Sequence, residues 1–351
     1  MENNKTAHKF MEELQADADK HQRYFSDKED QTGLFLVRSA NNWLEIAKSR
    51  PIPKMLLDVL WFEGELCILF ADTNLGKSIL AVQIADSISK GKSIFGFRLE
   101  AEKQKVLYFD FELSDKQFEA RYSEDYSNHY HFNDNFYRAE IYSEAEMPKE
   151  FTSFESYLNH SLEQALTETQ AKILIVDNIT YLSAETERAK DALPLMKQLK
   201  ALKQKFGLSV LVLAHTPKRD LSKPITRNDL QGSKMLINFC DSSFAIGESN
   251  QNKSIRYIKQ IKVRNSDFKF DKDNVAVCRI DKPANFLSFE FENFGSEDEH
   301  LRVFSDNDKV QLENDIVDIK ANEPDLSLGE IAKRLGTNKM KVKRTLDRNS
   351  A

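Results

Sequence analysis

One stretch constrains this chain more than any other: Ile68-Leu69-Phe70-Ala71-Asp72-Thr73-Asn74-Leu75-Gly76-Lys77-Ser78. The apolar run over residues 66–71 predicts a short buried strand. Residues 78–85, Ser-Ile-Leu-Ala-Val-Gln-Ile-Ala, predict a helix. Strand, polar loop ending Gly-Lys-Ser, then helix is the layout of a phosphate-binding P-loop. In such a loop, backbone N–H groups and a helix N-terminus cradle phosphates. A lysine reaches the β- and γ-phosphates and a hydroxyl ligates Mg²⁺. Lys77 and Ser78 fit those two roles, and Asp72, Thr73, Asn74, Leu75, Gly76 and Ile79 complete the cradle. ATP and Mg²⁺ are therefore the expected cofactors. The motif's first position, ordinarily Gly, is Ala71 here; a methyl fits there if φ is negative.

The pattern downstream alternates strand and helix. Further strands are expected over residues 104–111, 171–178, 208–214, 243–246 and 255–264, with a hairpin over 275–280 and 286–294 turned at Lys282-Pro283-Ala284-Asn285. Helices are expected over 151–166 and 193–206, the latter capped by Gly207. Ser114 opens another as its N-cap. Residues 122–150, aromatic and polar without a period, are read as irregular. The predicted fold is α/β, a mainly parallel sheet flanked by helices. Such sheets bind ligands at the carboxyl ends of their strands. Glu112, Asp177 and His215 fall at those ends, beside the P-loop. Asp177 follows four apolar residues and predicts a site acid. Glu112 is open to a second reading as an acid serving a helix dipole, and His215 as a buried, satisfied imidazole.

The expected domains are an N-terminal arm (1–40), an ATPase domain (41–294), a linker (295–304) and a small helical domain (305–351). In the last, Ser327 and Glu330 have capping-box spacing. A turn at Gly336-Thr337-Asn338 leads into a basic helix over 339–346, a helix-turn-helix pattern. Residues 327–351 carry seven Lys and Arg against two acids. The other reading is a helical hairpin used for packing. With a net charge of −6 overall, nucleic-acid contact must come from local basic patches. The candidates are Lys218, Arg219 and Lys223 in the loop after His215, and Lys339, Lys341, Lys343 and Arg344 near the C-terminus. No apolar run approaches the ~20 residues that span a membrane. The polar N-terminus and the three separated cysteines point to a reduced, cytoplasmic protein.

The ordered set Gly76-Lys77-Ser78, Glu112, Asp177, His215, Gln231-Gly232-Ser233 and Lys262-Val263-Arg264 resembles the RecA-fold ATPases of the hexameric replicative helicase class. It looks most like the small RepA-type helicases of plasmids and mobile elements, over roughly residues 40–294. The resemblance implies a RecA-like fold with Asp177 ordering Mg²⁺, Glu112 as general base and His215 as γ-phosphate sensor. It implies a nucleotide-binding Arg121, and Lys262 and Arg264 reaching the nucleotide of a neighbouring subunit. The other reading of that pair, on one face of an alternating strand, is a solvated edge. The function so implied is an ATP-hydrolysing, ring-forming DNA helicase or translocase, a hexamer with single-stranded DNA in the ring and duplex on the C-terminal domain. The alternatives are an ATP-dependent DNA-binding initiator or regulator, and a nucleotide-binding scaffold. Glu112 argues against the last, since a binder needs no base.

Overall fold

A computed structural model describes residues 30–142, 144–178, 192–217, 219–230, 233–302 and 306–349. Contacts divide the chain between Pro53 and Lys54, where the sequence suggested residue 40. The first unit contains the helix Ala40–Lys48, N-capped by Ser39, with no buried residue. The main sheet and its helices belong to the second unit, Lys54–Ala351.

Among the described residues, nine strands form one sheet. In chain order they are β1 (Leu66–Ala71), β2 (Val106–Asp110), β3 (Phe136–Ala139), β4 (Ile173–Asp177), β5 (Ser209–His215), β6 (Ser242–Glu248), β7 (Ile255–Lys262), β8 (Val275–Asp281) and β9 (Ser288–Gly295). Across the sheet the order is β9-β8-β7-β6-β1-β5-β4-β2-β3. The run from β6 to β3 is parallel, and β7, β8 and β9 extend it antiparallel. β1, β2 and β4 are buried throughout, as a parallel sheet covered on both faces requires. Alternate residues feed the two cores: Leu66, Ile68 and Phe70 on one face, Cys67, Leu69 and Ala71 on the other. The three cysteines are free and buried.

The helices are α1 (Lys77–Lys90), α2 (Asp115–Arg121), α3 (Phe154–Thr169), α4 (Ala192–Phe206), α5 (Ser233–Phe239), α6 (Asp306–Asn322), α7 (Leu328–Arg334) and α8 (Lys339–Asn349). Ser114 caps α2 in a capping box closed by Gln117. Gly207 follows α4 at φ +62°, a left-handed position that favours glycine. No helix among the described residues is long and apolar enough to cross a membrane.

Two sequence expectations are corrected. Residues 122–150 contain β3, paired in parallel with β2 through Val106↔Phe136 to Phe109↔Ala139. Its four half-buried residues lie at the sheet edge, too short a run for a period to show. The segment expected as a linker is packed into the fold. Glu297 is fully buried and His300 is 3% exposed. The Glu297 carboxylate pairs with Lys259, accepts the Ile225 N–H at 2.7 Å and accepts the Tyr257 hydroxyl at 3.1 Å. Beyond it, α6, α7 and α8 close a small core around Ile316, Ile331 and Val342.

Removing one partner of a buried ion pair strands the other's charge, which costs about 3–5 kcal/mol. Glu297→Ala is therefore expected to lower unfolding stability by that amount, and equilibrium urea denaturation is the measurement that checks it.

Candidate functional site

β1 ends at Ala71, whose φ is negative, so the methyl at the motif's first position is accommodated as extended strand. Ala71 pairs with His215 at the end of β5. Asn74 takes φ +62° and Gly76 φ +92°. A Cβ at Gly76 would lie 2.8 Å from Ile280 and 2.9 Å from Phe289. Both its backbone angle and the overlying β8–β9 pair therefore demand glycine. Gly76 is also the N-cap of α1, so the amide ends of that helix open onto the loop.

Lys77 is 6% exposed. Its ammonium donates to the carbonyls of Ala71 at 3.1 Å and Asp72 at 3.0 Å and meets His215 Nδ1 at 3.2 Å. Burial lowers its pKa, opposed by the carboxylates of Glu112, Asp177 and Asp72. An ammonium has no lone pair, so His215 Nδ1 is the acceptor and the imidazole proton sits on Nε2. That nitrogen faces Glu112 Oε1 at 3.4 Å. The amide of Asn178 also donates to Glu112 Oε1 and lies 3.1 Å from Nε2. The His215 hydrogen bond holds the Glu112 carboxyl below its ordinary pKa, so this partly exposed acid is an ionised acceptor. Lys77, His215 and Glu112 thus form one connected chain across three strand ends.

Asp177 ends β4 fully buried. Its Oδ2 accepts the Tyr108 hydroxyl at 2.6 Å, and its Oδ1 has no hydrogen-bond partner. Burial raises its pKa to about 6, against the pull of the Ser78 and Tyr108 hydroxyls. Mg²⁺ is usually held by one or two carboxylates plus substrate phosphates. Asp177 beside Ser78, with an unused carboxylate oxygen, fits that requirement. Thr216 Oγ1 and Arg121 Nη1 are also buried without partners. Thr216 donates its N–H to the Ala71 carbonyl at 3.1 Å, and Arg121 ends α2.

Several supporting residues were missed in the sequence. Asp110 is 2% exposed. Its Oδ1 accepts the N–H groups of Glu112 at 3.1 Å and Leu113 at 2.9 Å, while Arg138 Nε donates to its Oδ2 at 2.9 Å. The Arg138 guanidinium also reaches the Leu113 carbonyl at 2.7 Å. This clamp fixes the backbone that carries Glu112. Tyr108 and Asn178 do the same for Asp177 and the Glu112 side chain. Asp110 was legible as a strand-end acid; Arg138 lies on the unpredicted β3 and gave no signal.

The structure does not bring Lys262 and Arg264 to this site. Lys262 Nζ donates to the carbonyls of Ile237 at 2.5 Å and Cys240 at 2.7 Å, at the C-terminal end of α5. Arg264 pairs with Asp241 at 3.1 Å, and Asp241 accepts the N–H of Leu66 at 2.9 Å. They therefore lie at the amino end of the parallel strands, five residues of β1 or roughly 17 Å from the P-loop. Of the basic candidates, Arg219, Lys223 and Lys341 line one cleft, whereas Lys339, Lys343 and Arg344 are exposed on α8. Lys218, Gln231 and Gly232 lie outside the described residues, as does the side chain of Ser233.

The AAA domain family model matches residues 36–220, more than half of the 351-residue chain. The chain belongs to the AAA domain family. It is thus an AAA-type P-loop ATPase, and the matched span carries the P-loop, Glu112, Asp177 and His215. Comparison with curated proteins found no match. Among solved structures it is similar to a KaiC-like protein of the hyperthermophilic archaeon Pyrococcus horikoshii OT3. Identity is 12%, the TM-score is 0.43, and the overlap covers 65% of this chain and 90% of that one.

The raised pKa of Asp177 gives this AAA-domain chain a pH signature. Its folded-state value of about 6 lies above the ordinary 3.8, so the folded state holds the proton more tightly. Its contribution to stability is full below the unfolded value and is lost as pH rises through about 6. In metal- and nucleotide-free protein, Asp177→Asn should therefore stabilise at pH 7, by about 3 kcal/mol. The gain should shrink toward pH 4, as read from paired thermal melts.

Proposed function

We propose that this ATPase is a ring-forming DNA helicase or translocase of the RepA type, serving replication of a plasmid or mobile element. The observation that supports it most is the chain from Lys77 through His215 to Glu112. It joins the lysine of the phosphate loop to an ionised carboxylate through the residue that leads into a basic loop. A nucleotide binder needs the lysine; a motor needs hydrolysis felt by the segment that touches its track.

On this reading Lys77 exchanges its carbonyl partners for β- and γ-phosphate oxygens, with residues 72–79 around the phosphates. Arg121, whose guanidinium has an unpartnered nitrogen, contributes a further contact to the nucleotide. Ser78 and Asp177 hold Mg²⁺, which when bound neutralises charge on the β- and γ-phosphate oxygens. Glu112 orients the attacking water and accepts its proton. His215 loses the Lys77 contact when the lysine turns to phosphate, which changes what its Nε2–H offers to Glu112. Arg264, remote from its own P-loop, acts on the nucleotide of a neighbour with Lys262 holding the base of that segment. The ring is a hexamer with single-stranded DNA in its channel.

A second reading, an ATP-dependent initiator or regulator, is favoured by the C-terminal helices. Ser327 and Glu330 form a complete capping box on α7, and the turn after it leads into α8 with Lys339, Lys343 and Arg344 exposed. A helix-turn-helix so built would hold duplex DNA. Strand-displacement assays separate the two readings: an initiator hydrolyses ATP and binds duplex without unwinding it.

Glu112→Gln is expected to retain ATP binding and slow turnover by about 10²–10⁴-fold, the usual weight of a general base. Wild-type turnover in that variant places the base elsewhere. Mixing Lys77→Ala with Arg264→Ala should restore part of the activity, because a mixed interface pairs an intact P-loop with an intact arginine. No recovery at any mixing ratio, with specific activity independent of protein concentration, removes the shared site and the ring.

A further inference from the structure

Two basic segments, more than a hundred residues apart in sequence, meet in one cleft of about 700 Å³. One wall is the loop after His215, with Arg219 and Lys223. The other is the α7–α8 turn, with Lys333 and Lys341; Arg302 lies between them. Against these five cations stand Asp220 and Asp315, an excess of positive charge in a chain of net charge −6. The N-terminus of α8 opens into the same space. Asn338 lines it and caps the helix by accepting the Lys341 N–H at 2.8 Å, so its free amide ends favour an anion.

A second feature also points to a ligand. The Arg219 side chain is only 6% exposed; its guanidinium donates to the Lys223 carbonyl, yet its Nε, 3.9 Å from the Asp229 carboxylate, has no hydrogen-bond partner. Leaving a buried guanidinium donor unmatched costs free energy, so the Arg219 side chain holds donor capacity beyond its contacts with the Lys223 carbonyl and Tyr257. None of the described lining residues is aromatic, so nothing offers a stacking platform for bases. Lysines, arginines and a helix N-terminus suit phosphates instead.

We propose that this cleft is a site for the phosphodiester backbone of DNA, separate from the exposed face of α8, and that it is coupled to the nucleotide site. This rests on the DNA-translocating reading above. The coupling follows from chain continuity. Thr216 is bonded to Ala71 of the P-loop strand, and Arg219, Asp220 and Lys223, three to seven residues further on, line the cleft. Arg302, between the two walls, is tied to the same loop, donating its N–H to the Leu221 carbonyl at 3.0 Å. Arg219 faces Tyr257, which itself bonds Glu297. DNA and ATP thus bias one segment, and each must change the other's affinity by the same factor.

The test uses the full chain and fluorescein-labelled single-stranded and duplex 20-mers, followed by anisotropy over a salt series. Lys223→Glu/Lys341→Glu should weaken binding at least tenfold and flatten the log–log salt slope by about 2, one unit per lost phosphate contact. A non-hydrolysable ATP analogue should shift wild-type DNA affinity at least fivefold, the low end for coupled sites. In parallel, amine acetylation of the wild-type protein read by mass spectrometry should show DNA protecting Lys223 and Lys341. That arm holds even if the double variant fails to fold. No DNA binding by the wild type sinks the DNA-translocating reading itself. Binding that survives the double charge reversal, or protection confined to Lys339 and Lys343, overturns the cleft and leaves that reading standing. Affinity indifferent to the analogue overturns the coupling.

Discussion

The ammonium of Lys77 is a cation taken out of water, and the carboxyl end of the sheet is arranged to hold it. Burying a charge without partners is prohibitively costly. Here two carbonyls of the P-loop strand and the lone pair of His215 supply partners. That forces the His215 proton onto Nε2 and so toward Glu112, which stays ionised. One buried cation thereby fixes a tautomer, a charge state and the direction of a hydrogen-bond chain. The carbonyls belong to Ala71 and Asp72, so the site is ordered before phosphate arrives, and phosphate has only to exchange with them. Such pre-organisation lowers the cost of binding.

The parallel core was legible because its strands are buried on both faces and so read as unbroken apolar runs. β1 was bounded correctly, and the polar residue ending each of β4 and β5 gave Asp177 and His215 by position. Gly76 was legible as a motif letter; the reason for it, Ile280 and Phe289 pressing from β8 and β9, needed the fold. Arg138 was invisible because it sits on an edge strand of four half-buried residues with no period. The segment at Glu297 misled for a different reason. Gly-Ser-Glu-Asp-Glu has the composition of a solvated linker, and composition carries no information about a single carboxylate that turns inward to meet Lys259 from β7.

That inward turn matters for the appended helices. A flexible linker would leave the C-terminal unit free, with no mechanical relation to the ATPase. Instead the chain is pinned at Glu297, at His300 through a 2.8 Å contact with Ser249, and at Arg302 through the Leu221 carbonyl. The elements holding it, β7 and the loop after His215, belong to the ATPase domain. Movement of that loop is felt directly at Arg302, because the Arg302 N–H is bonded to the loop's Leu221 carbonyl.

The two basic residues at the opposite end of the sheet differ in how firmly they are held, and this separates the parts they can play. Lys262 spans two backbone carbonyls at the C-terminal end of α5, where a cation complements the helix dipole, and burial lowers its pKa. Moving it would strip both carbonyls of a partner. Arg264 has a side chain 52% exposed and one contact, to Asp241. An exposed pair of this kind is worth ~0–1 kcal/mol, and Asp241 keeps Lys203 at 2.8 Å and the Leu66 N–H if the arginine leaves. Arg264 can therefore swing toward an anion presented by another molecule at almost no cost to its own fold. Lys262, bonded to both carbonyls, cannot.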